Sequence, residues 1–486
     1  MNDIADKPIK NKSLASKAKL SEKTISLYEV HTKIYPRSIL GPLAKWRWAM
    51  VWVTQLFFYG MPWIQWGQRQ ALLFDLEAKR FFIYGLVFYP QDLIYLTLLL
   101  IISALSLFLF TAVAGRLWCG YACPQTVYTE IFLWIESRIE GDRAARMRLD
   151  DASMSLKKIA IKTSKHLVWL VFALWTGFTF VGYFTPIREL LPNVLHNSAG
   201  IWNTFWVLFY GFATYGNAGF LREQVCKYMC PYARFQSVMF DDDTMIVTYD
   251  EARGEPRGSR SRKGSKATET KALGACIDCT FCVQVCPTGI DIRDGLQYEC
   301  IGCGACADVC DTVMDKMNYP RGLIRYSTQH GIAQNWSKQQ MLAHILRPRV
   351  LVYSGILSAL CIAMALSLYY RDSFRVDVVR DRGVMARIEG NMLENVYRLQ
   401  IMNATEAMQR YQIAATGLEG MQVDVESGNE AHNIVTVKPA EVRGVVVDLE
   451  IPDGSAESGA HKIFFEIKAL DTNETVREKS IFLVPR

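Results

Sequence analysis

Three patterns in this 486-residue sequence predict a multidomain protein, in which an α-helical membrane bundle of five spans carries a cysteine-rich insert and a C-terminal β-sandwich. Five long apolar stretches predict the bundle, two tandem runs of closely spaced cysteines mark the insert, and short alternating runs near the C-terminus predict the sandwich. Hydrophobic residues make up 50% of the chain and charged residues still 21%, which favours membrane and water-soluble parts in one chain.

The composition changes along the chain and divides it into six predicted parts. The first part is lysine-rich and lacks the apolar core of a signal peptide, which predicts a cytoplasmic arm. The stretch from Arg253 to Lys271 is rich in arginine, lysine, serine and glycine, which predicts a flexible linker. The predicted bounds are 1–38 for the basic arm, 39–250 for a four-span membrane core, 251–272 for the basic linker, 273–348 for the cysteine-rich domain, 349–370 for the fifth transmembrane helix and 371–486 for a periplasmic domain.

Five apolar stretches approach the roughly 20 residues that a helix needs to cross a bilayer. The fourth is the most polar, because it contains Asn203, Asn217 and several glycines, and we expect it to line the interior of the bundle. The five stretches lie near Trp46–Gln65, Leu93–Ala114, Leu167–Phe184, Ile201–Leu221 and Val350–Tyr370.

Basic residues are distributed unevenly among the loops between these stretches. The loop from Arg116 to Lys165 and the segment from Arg222 to Arg349 are rich in arginine and lysine, whereas the loop between the third and fourth stretches contains only Arg188. Loops rich in positive charge tend to stay in the cytoplasm. The sequence therefore predicts a multi-pass protein of the bacterial inner membrane, with the cysteine-rich domain in the cytoplasm and the C-terminal domain in the periplasm.

The cysteine-rich insert contains the pattern Cys-x2-Cys-x2-Cys-x3-Cys twice, between Cys276 and Cys310. Zinc ribbons use two well-separated Cys-x2-Cys pairs, and disulfide frameworks occur mainly in small secreted proteins, so this spacing favours neither. Each run resembles the bacterial ferredoxin pattern, in which the fourth cysteine of a run ligates the other cluster. The resemblance implies a bacterial-type di-cluster ferredoxin domain. Its implied ligands are Cys276, Cys279, Cys282 and Cys310 for one 4Fe–4S cluster, and Cys300, Cys303, Cys306 and Cys286 for the other.

Two further cysteine pairs lie outside the insert, and each follows a predicted span. The pairs Cys119/Cys123 and Cys226/Cys230 are both followed directly by a proline, so the motif Cys-x3-Cys-Pro occurs twice at one membrane face. Proline disfavours helical geometry in the preceding residue, and we expect the chain to turn there. Because soft thiolates select Cu(I), the four cysteines are a candidate copper or redox site. The alternative is that the two motifs only shape tight turns.

The chain from about Arg371 onward consists of short alternating or apolar runs, such as IVTVKP and HKIFFEIKAL, with turn residues between them. This pattern is typical of antiparallel strands, and a length of about 115 residues fits one immunoglobulin-like β-sandwich. The segment has no cysteine pair, so an antibody-type disulfide is not expected.

Taken together, the basic arm, the spans, the two Cys-x3-Cys-Pro motifs, the RGEPRG segment, the paired cysteine runs and the C-terminal sandwich resemble the CcoG/FixG/RdxA family of cytochrome c oxidase accessory proteins. The membrane core is also similar to NapH-like quinol dehydrogenase subunits. The CcoG/FixG/RdxA resemblance implies a membrane-bound oxidoreductase with two 4Fe–4S clusters that reduces Cu(II) and supplies Cu(I) for a cbb-type cytochrome c oxidase. The implied partners are subunits of that oxidase or copper-delivery proteins, with an electron donor that the sequence does not name.

The residue patterns alone indicate a membrane protein that transfers electrons, and they leave three functions open. These are reduction of Cu(II), oxidation of quinol by a NapH-like subunit that feeds a periplasmic partner, and a non-redox scaffold for oxidase assembly. No recognition module surrounds the basic residues, so we expect no nucleic-acid partner. No glycine-rich nucleotide fingerprint follows a predicted strand, which argues against a bound nicotinamide or flavin.

Overall fold

The computed structural model describes residues 33–259, 273–381, 386–389, 391–425 and 433–485. Most of the predicted basic arm, residues 1–32, and the predicted linker from residue 260 to residue 272 lie outside the described residues. The helices of the described ranges are α1 Pro42–Gly60, α2 Leu93–Ala114, α3 Leu117–Tyr121, α4 Pro124–Ile139, α5 Arg143–Asp151, α6 Leu156–Val181, α7 Ile187–Leu195, α8 Ile201–Gly216, α9 Pro231–Met239, α10 Glu251–Gly254, α11 Phe281–Gln284, α12 Ala305–Met317, α13 Gln329–Ala333, α14 Lys338–Ala343 and α15 Pro348–Tyr369.

Three of the described helices are long and apolar enough to cross a membrane: Pro90–Ala114, Leu156–Val181 and Pro348–Tyr369. They correspond to the second, third and fifth predicted spans. The first and fourth predicted spans are helical too, but α1 carries Lys45 and Arg47 in its first turns, and α8 has 16 residues before it continues as a π-helix, Asn217–Leu221. The membrane character of the chain is therefore supported by three helices, and the count of five stays a prediction.

Helices α2 and α15 lie side by side and run in opposite directions. The Tyr95 hydroxyl near the start of α2 lies 3.0 Å from the Ser367 hydroxyl near the end of α15, whereas Arg347 before α15 donates to the Ala112 carbonyl at the end of α2, 2.6 Å away. Residues 61–92 and the C-terminal domain therefore lie at one end of this helix pair, and helices α3–α5 and the cysteine-rich domain lie at the other.

The strands of the described ranges are β1 Gln65–Trp66, β2 Arg69–Gln70, β3 Leu72–Asp75, β4 Arg80–Ile83, β5 Leu86–Phe88, β6 Ile246–Tyr249, β7 Ile324–Ser327, β8 Phe374–Arg380, β9 Arg387–Glu389, β10 Met392–Asn403, β11 Gln409–Thr416, β12 Gln422–Val425, β13 Ile434–Val437, β14 Val442–Pro452, β15 Gly459–Ala469 and β16 Thr475–Val484. The C-terminal strands form two antiparallel sheets, in the orders β12–β14–β10–β8 (with β9 beside β10) and β13–β11–β15–β16. Alternate residues of both sheets, including Tyr397, Phe465 and Phe482, form one buried core. The predicted β-sandwich is confirmed.

A small sheet formed by β3, β4 and β5 packs against the sandwich. Phe82 and Val87 of this sheet share a buried cluster with Met402 of the sandwich, and the Tyr89 hydroxyl donates to the Asn403 carbonyl at 2.8 Å. Asp92, almost fully buried before α2, pairs with Arg371 at 2.6 Å and with Arg375 at 2.9 Å. The sandwich is thus fixed to the chain between α1 and α2, well before its own position in the sequence.

The cysteine-rich domain begins earlier in the chain than the spacing of its cysteines indicates. Strand β6 precedes the predicted linker, yet it pairs with β7 beyond the last cysteine. Backbone hydrogen bonds also join residues 253–258 to residues 274–276; for example, the Gly274 amide donates to the Pro256 carbonyl at 2.9 Å. The described part of the predicted linker, residues 251–259, therefore packs as part of this domain, because its backbone groups are paired with the first cysteine loop.

Candidate iron–sulfur centre and adjoining thiols

Four cysteines line one small cavity of the cysteine-rich domain: Cys276, Cys279, Cys282 and Cys310. The first three come from the first run, and Cys310 comes from the end of the second run, on helix α12. The remaining walls are largely apolar. This grouping is the one that the ferredoxin resemblance implies for the first cluster.

A second cavity is lined by the other four implied ligands, Cys286, Cys300, Cys303 and Cys306, and also by Cys282, which lines both cavities. Here the exchange runs the other way, since Cys286 leaves the first run and joins the three cysteines of the second. The fold thus brings each fourth cysteine to the neighbouring group. Ligation of the clusters by these residues stays a prediction, and the crossed grouping supports it.

The backbone turns in the same way in both cysteine runs. The residues two and four positions after the first cysteine have positive φ in each run: Asp278 (53°) and Thr280 (58°) in the first, Gly302 (66°) and Gly304 (72°) in the second. Left-handed residues of this kind occur in the backbone nests that bind many anionic iron–sulfur clusters. The backbone of both runs therefore fits an iron–sulfur cluster, as the thiols do.

Burial favours the neutral form of several of these thiols when no metal is bound. Burial raises the pKa of Cys282 to about 11 and the pKa of Cys300 and Cys310 to about 12. Iron would displace these protons, because thiolate is the ligand form. None of the 13 cysteines, all of which lie in the described residues, forms a disulfide. Sulfur donors, largely apolar walls and the matching left-handed turns together fit two 4Fe–4S clusters.

The chain turns at both Cys-x3-Cys-Pro motifs, as predicted. Cys123 has an extended backbone (φ −60°, ψ 128°) before Pro124 starts α4, and Cys230 is likewise extended (φ −81°, ψ 108°) before α9. Cys226 lies in a π-helix, Val225–Met229, and Cys119 lies in the short helix α3. Neither pair occupies a single continuous helix.

The four motif thiols share one neighbourhood. Burial raises the pKa of Cys226 to about 12, with further contributions from Cys123, Cys119 and Cys230, and it raises the pKa of Cys119 to about 11. Among the described residues, no three His, Cys, Asp or Glu side chains are close enough to form a ready-made site for a single metal ion. A copper ion bound by these thiols would therefore have to draw the side chains together.

The motif thiols lie directly against the second cysteine group. Cys119 and Cys226 pack on the buried cluster that contains Ile301 and Cys303. A Cβ atom on Gly120, next to Cys119, would lie 2.8 Å from the Gly302 carbonyl oxygen and 2.9 Å from the Cys303 Cα atom. The backbones of the two segments are thus in contact at this point.

Arg116 joins these segments through its guanidinium group. It donates to the carbonyls of Tyr298 and Cys300, at the start of the second cysteine run, and to the carbonyl of Ala233 on α9. Burial lowers the pKa of Arg116. The charges of thiols in both neighbouring groups raise it again, and Cys119 contributes most to this increase. The sequence analysis did not identify Arg116 as a functional residue. Its position just before the first Cys-x3-Cys-Pro motif was the one feature of the sequence that could have indicated it.

Asp308 is a second residue that the sequence analysis missed. It lies between the last two cysteines of the second run, is almost fully buried, and accepts hydrogen bonds from the amides of Leu43 (3.2 Å) and Ala44 (2.7 Å). These amides open helix α1, where backbone donors have no partner within the helix. The second cysteine run therefore caps the first helix of the bundle.

We expect Gly120→Ala to destabilise the contact between α3 and the second cysteine run. The added methyl group would meet backbone atoms, which cannot move aside as a flexible side chain can, and overpacking of this kind costs about 1–3 kcal/mol. Thermal unfolding of the detergent-solubilised protein, followed by cluster absorbance, should show a lower midpoint. Gly216→Ala is the matched control, because its Cβ would meet nothing within 4 Å. Equal midpoints for both variants would contradict the expected backbone contact.

Family models match three parts of the chain. A "4Fe-4S dicluster domain" matches residues 221–329, a "4Fe-4S binding domain" matches residues 96–141, and an "IG-like fold at C-terminal of FixG" matches residues 364–485. The first covers both cysteine runs, and the second covers the first Cys-x3-Cys-Pro motif. These matches and the apolar helices make the chain a membrane-associated 4Fe–4S protein.

Curated relatives extend over most of the chain. "Nitrogen fixation protein FixG" of Rhizobium meliloti (strain 1021) is 34% identical over 479 residues, covering 89% of this chain and 90% of the relative. "Protein RdxB" of Cereibacter sphaeroides is 36% identical and covers 94% of this chain and 98% of the relative. A crystal structure of a FixG-related protein from Vibrio parahaemolyticus matches 23% of this chain and 96% of its own length, at 25% identity and a TM-score of 0.21. The two curated relatives, each more than 30% identical over most of both chains, show that the chain belongs to the CcoG/FixG/RdxA family.

Proposed function

We propose that this membrane-associated 4Fe–4S redox protein reduces Cu(II) to Cu(I) at the four thiols of its two Cys-x3-Cys-Pro motifs. The observation that carries the proposal is the backbone contact of Gly120, inside the first motif, with Gly302 and Cys303 of the second cysteine group. One-electron reduction of a bound metal ion requires an electron donor close to the metal site, and this contact would bring the two together.

The reaction needs one electron for each copper ion. The cysteines Cys286, Cys300, Cys303 and Cys306 would hold a 4Fe–4S cluster that, when reduced, would give up one electron and so convert Cu(II) to Cu(I). The thiols of Cys119, Cys123, Cys226 and Cys230 would bind the copper ion, and thiolate ligands favour the Cu(I) product. Because binding displaces thiol protons, the nearby Arg116 guanidinium would offset part of the negative charge that develops.

The destination of the copper follows from the family resemblance. It implies that Cu(I) serves the assembly of a cbb-type cytochrome c oxidase, by transfer to its subunits or to copper-delivery proteins. Those partners, and any scaffolding role of the C-terminal sandwich, belong to this proposal.

Serine variants of the motif cysteines test the copper site. We expect Cys123→Ser and Cys230→Ser to lose most of the Cu(I) that wild-type protein retains in competition with a chelator, with the iron and sulfide content unchanged. Cys361→Ser is the matched control, since Cys361 lies on the exposed surface of α15, far along the chain from both motifs. Full copper retention by either motif variant would assign those cysteines to structure alone.

The proposed orientation places the cysteine-rich domain in the cytoplasm and the sandwich in the periplasm of the bacterial inner membrane. The charge difference between the loops motivates it, and the two features lie at opposite ends of the α2/α15 pair. We expect reporter fusions after Asp250 to give a cytoplasmic signal and fusions after Arg380 a periplasmic one. A cytoplasmic signal at both positions would require an even number of spans and would overturn the five-span topology.

A further inference from the structure

One buried arginine differs from the others in the described part of the chain. The almost fully buried arginines there are Arg47, Arg116, Arg146 and Arg222. Three of them pair with a glutamate of α4: Arg47 with Glu130 at 3.1 Å, and Arg146 and Arg222 with Glu136 at 3.7 Å and 2.7 Å. No carboxylate of the described residues lies within ion-pair distance of the fourth, Arg116, which is only 5% exposed.

The charge of Arg116 needs compensation from another source. Removing a charge from water is costly unless an opposite charge accompanies it. The guanidinium group donates to the carbonyl oxygens of Tyr298, Cys300 and Ala233, but these groups carry no net charge. The remaining candidates for the compensating negative charge are the sulfur groups around this side chain.

Thiols from two groups act on the charge of Arg116. Cys119 has the largest effect, followed by Cys300, Cys226 and Cys230. Cys300 is an implied ligand of the second 4Fe–4S cluster, and the other three belong to the Cys-x3-Cys-Pro motifs. The Arg116 side chain also lies 3.2 Å from the Cys300 carbonyl oxygen. Since metal binding converts thiols to thiolates, a cluster held by the second group would place negative charge beside this arginine.

The arginine beside the first cysteine group is already neutralised. Arg293 lines the same cavity as Cys282, and its side chain is largely buried. It pairs with Asp278 at 2.5 Å and with Asp291 at 2.6 Å. Two carboxylates thus offset the charge of Arg293 locally, whereas the charge of Arg116 is available to the second cysteine group.

We propose that the Arg116 guanidinium group is the counter-ion of the second 4Fe–4S cluster and raises the reduction potential of that cluster. One-electron reduction adds one negative charge to a cluster, and the charge of its surroundings is one of the factors that set its potential. A fixed positive charge beside Cys300 therefore favours the reduced form. On the function proposed above, Arg116 would hold the electron at the cluster next to the motif thiols, and the inference rests on that function for this consequence alone.

A redox titration of the full-length protein in detergent, followed by electron paramagnetic resonance, measures the potential of each cluster without copper turnover. Arg116→Gln removes the charge but keeps hydrogen-bond donors. We expect it to lower the ratio of reduced to oxidised second cluster about tenfold at a fixed applied potential, which corresponds to about 59 mV. Arg116→Lys keeps the charge and should leave this ratio within about twofold of wild type. The potential of the first cluster should stay the same in both variants. Arg321→Gln is the matched control, because Arg321 lies in the same domain but is exposed and paired with Asp315; it should shift neither cluster.

A purely structural role of Arg116 predicts a different pattern. Lysine cannot reproduce the three carbonyl contacts, so Arg116→Lys would then shift or lose the second cluster as much as Arg116→Gln does. That pattern, an unchanged potential in Arg116→Gln, or equal shifts of both clusters would overturn the proposal. Loss of the second cluster from Arg116→Gln alone, with the wild-type potential in Arg116→Lys, would support it, because only the charge separates the two variants in that way. Failure of the copper proposal is distinguishable: the shift of the potential would remain, while reduced wild-type protein would leave Cu(II) unreduced.

Discussion

Cys310→Ser is expected to remove the cluster of the first cysteine run and to leave the cluster of the second run, although Cys310 itself belongs to the second. The physical reason is the crossed grouping, in which Cys310 lines the cavity of Cys276, Cys279 and Cys282. Iron and sulfide content should fall to about half, since one of two clusters is lost. Electron paramagnetic resonance of the reduced protein should then show one isolated centre in place of two interacting ones.

Cys286→Ser is the reciprocal variant and should remove the other centre. Cys286 lines the cavity of Cys300, Cys303 and Cys306, which belong to the other run. The two variants should therefore retain centres with different spectra. Two intact clusters in either variant, or the same remaining spectrum in both, would contradict the crossed arrangement.

Glu136→Leu should cause the largest loss of stability among single substitutions outside the clusters. Glu136 is fully buried on α4, 2.7 Å from Arg222 and 3.7 Å from Arg146, which are themselves buried. Removing one member of a buried charge group leaves the others unpaired, which costs about 3–5 kcal/mol. Denaturant unfolding in detergent measures the loss, and Glu136→Gln, which keeps the shape, separates charge from packing.

The pH dependence of this contribution follows from the direction of the pKa shift. Burial alone would raise the pKa of Glu136, but Arg222, Lys165 and Arg146 outweigh it and lower the pKa below its ordinary value. The stabilisation is therefore complete above the unfolded-state pKa of about 4.3 and is lost as the pH falls through the lower folded-state pKa. Asp315→Asn is the control, since its pair with Arg321 is exposed and should matter little. Equal losses of unfolding free energy for Glu136→Leu and Asp315→Asn would contradict the larger contribution expected of the buried charge group.

Local patterns predicted most of the fold. The x2 and x3 spacings of the cysteines indicated two clusters, since ligands in a loop must be close in sequence, and the grouping around Cys286 and Cys310 agrees with the ferredoxin resemblance. Alternation with period two predicted the sandwich, because each strand has one face in the core. Apolar length predicted five spans, and three of them are described helices long and apolar enough to cross a membrane. The other two, α1 and α8, stay predictions, because α1 carries two charges in its first turns and α8 has only 16 residues.

Contacts between distant parts of the chain could not be predicted in this way. Arg116 reaches a carbonyl 182 residues away, and Asp308 caps a helix 264 residues before it. Tertiary packing creates such contacts, so they cannot be predicted from the pattern of residues that are neighbours in sequence.

Single-turnover reduction of Cu(II) tests the central claim most directly. Wild-type protein, reduced anaerobically with dithionite and freed of excess reductant, should convert about two Cu(II) ions per chain to Cu(I), because each of two clusters carries one electron. A chelator specific for Cu(I) records the rate in a stopped-flow mixing experiment. We predict that Cys230→Ser, with both clusters intact, reduces Cu(II) at least tenfold more slowly than wild type and the Cys361→Ser control. Reduction by Cys230→Ser at the wild-type rate would contradict the account.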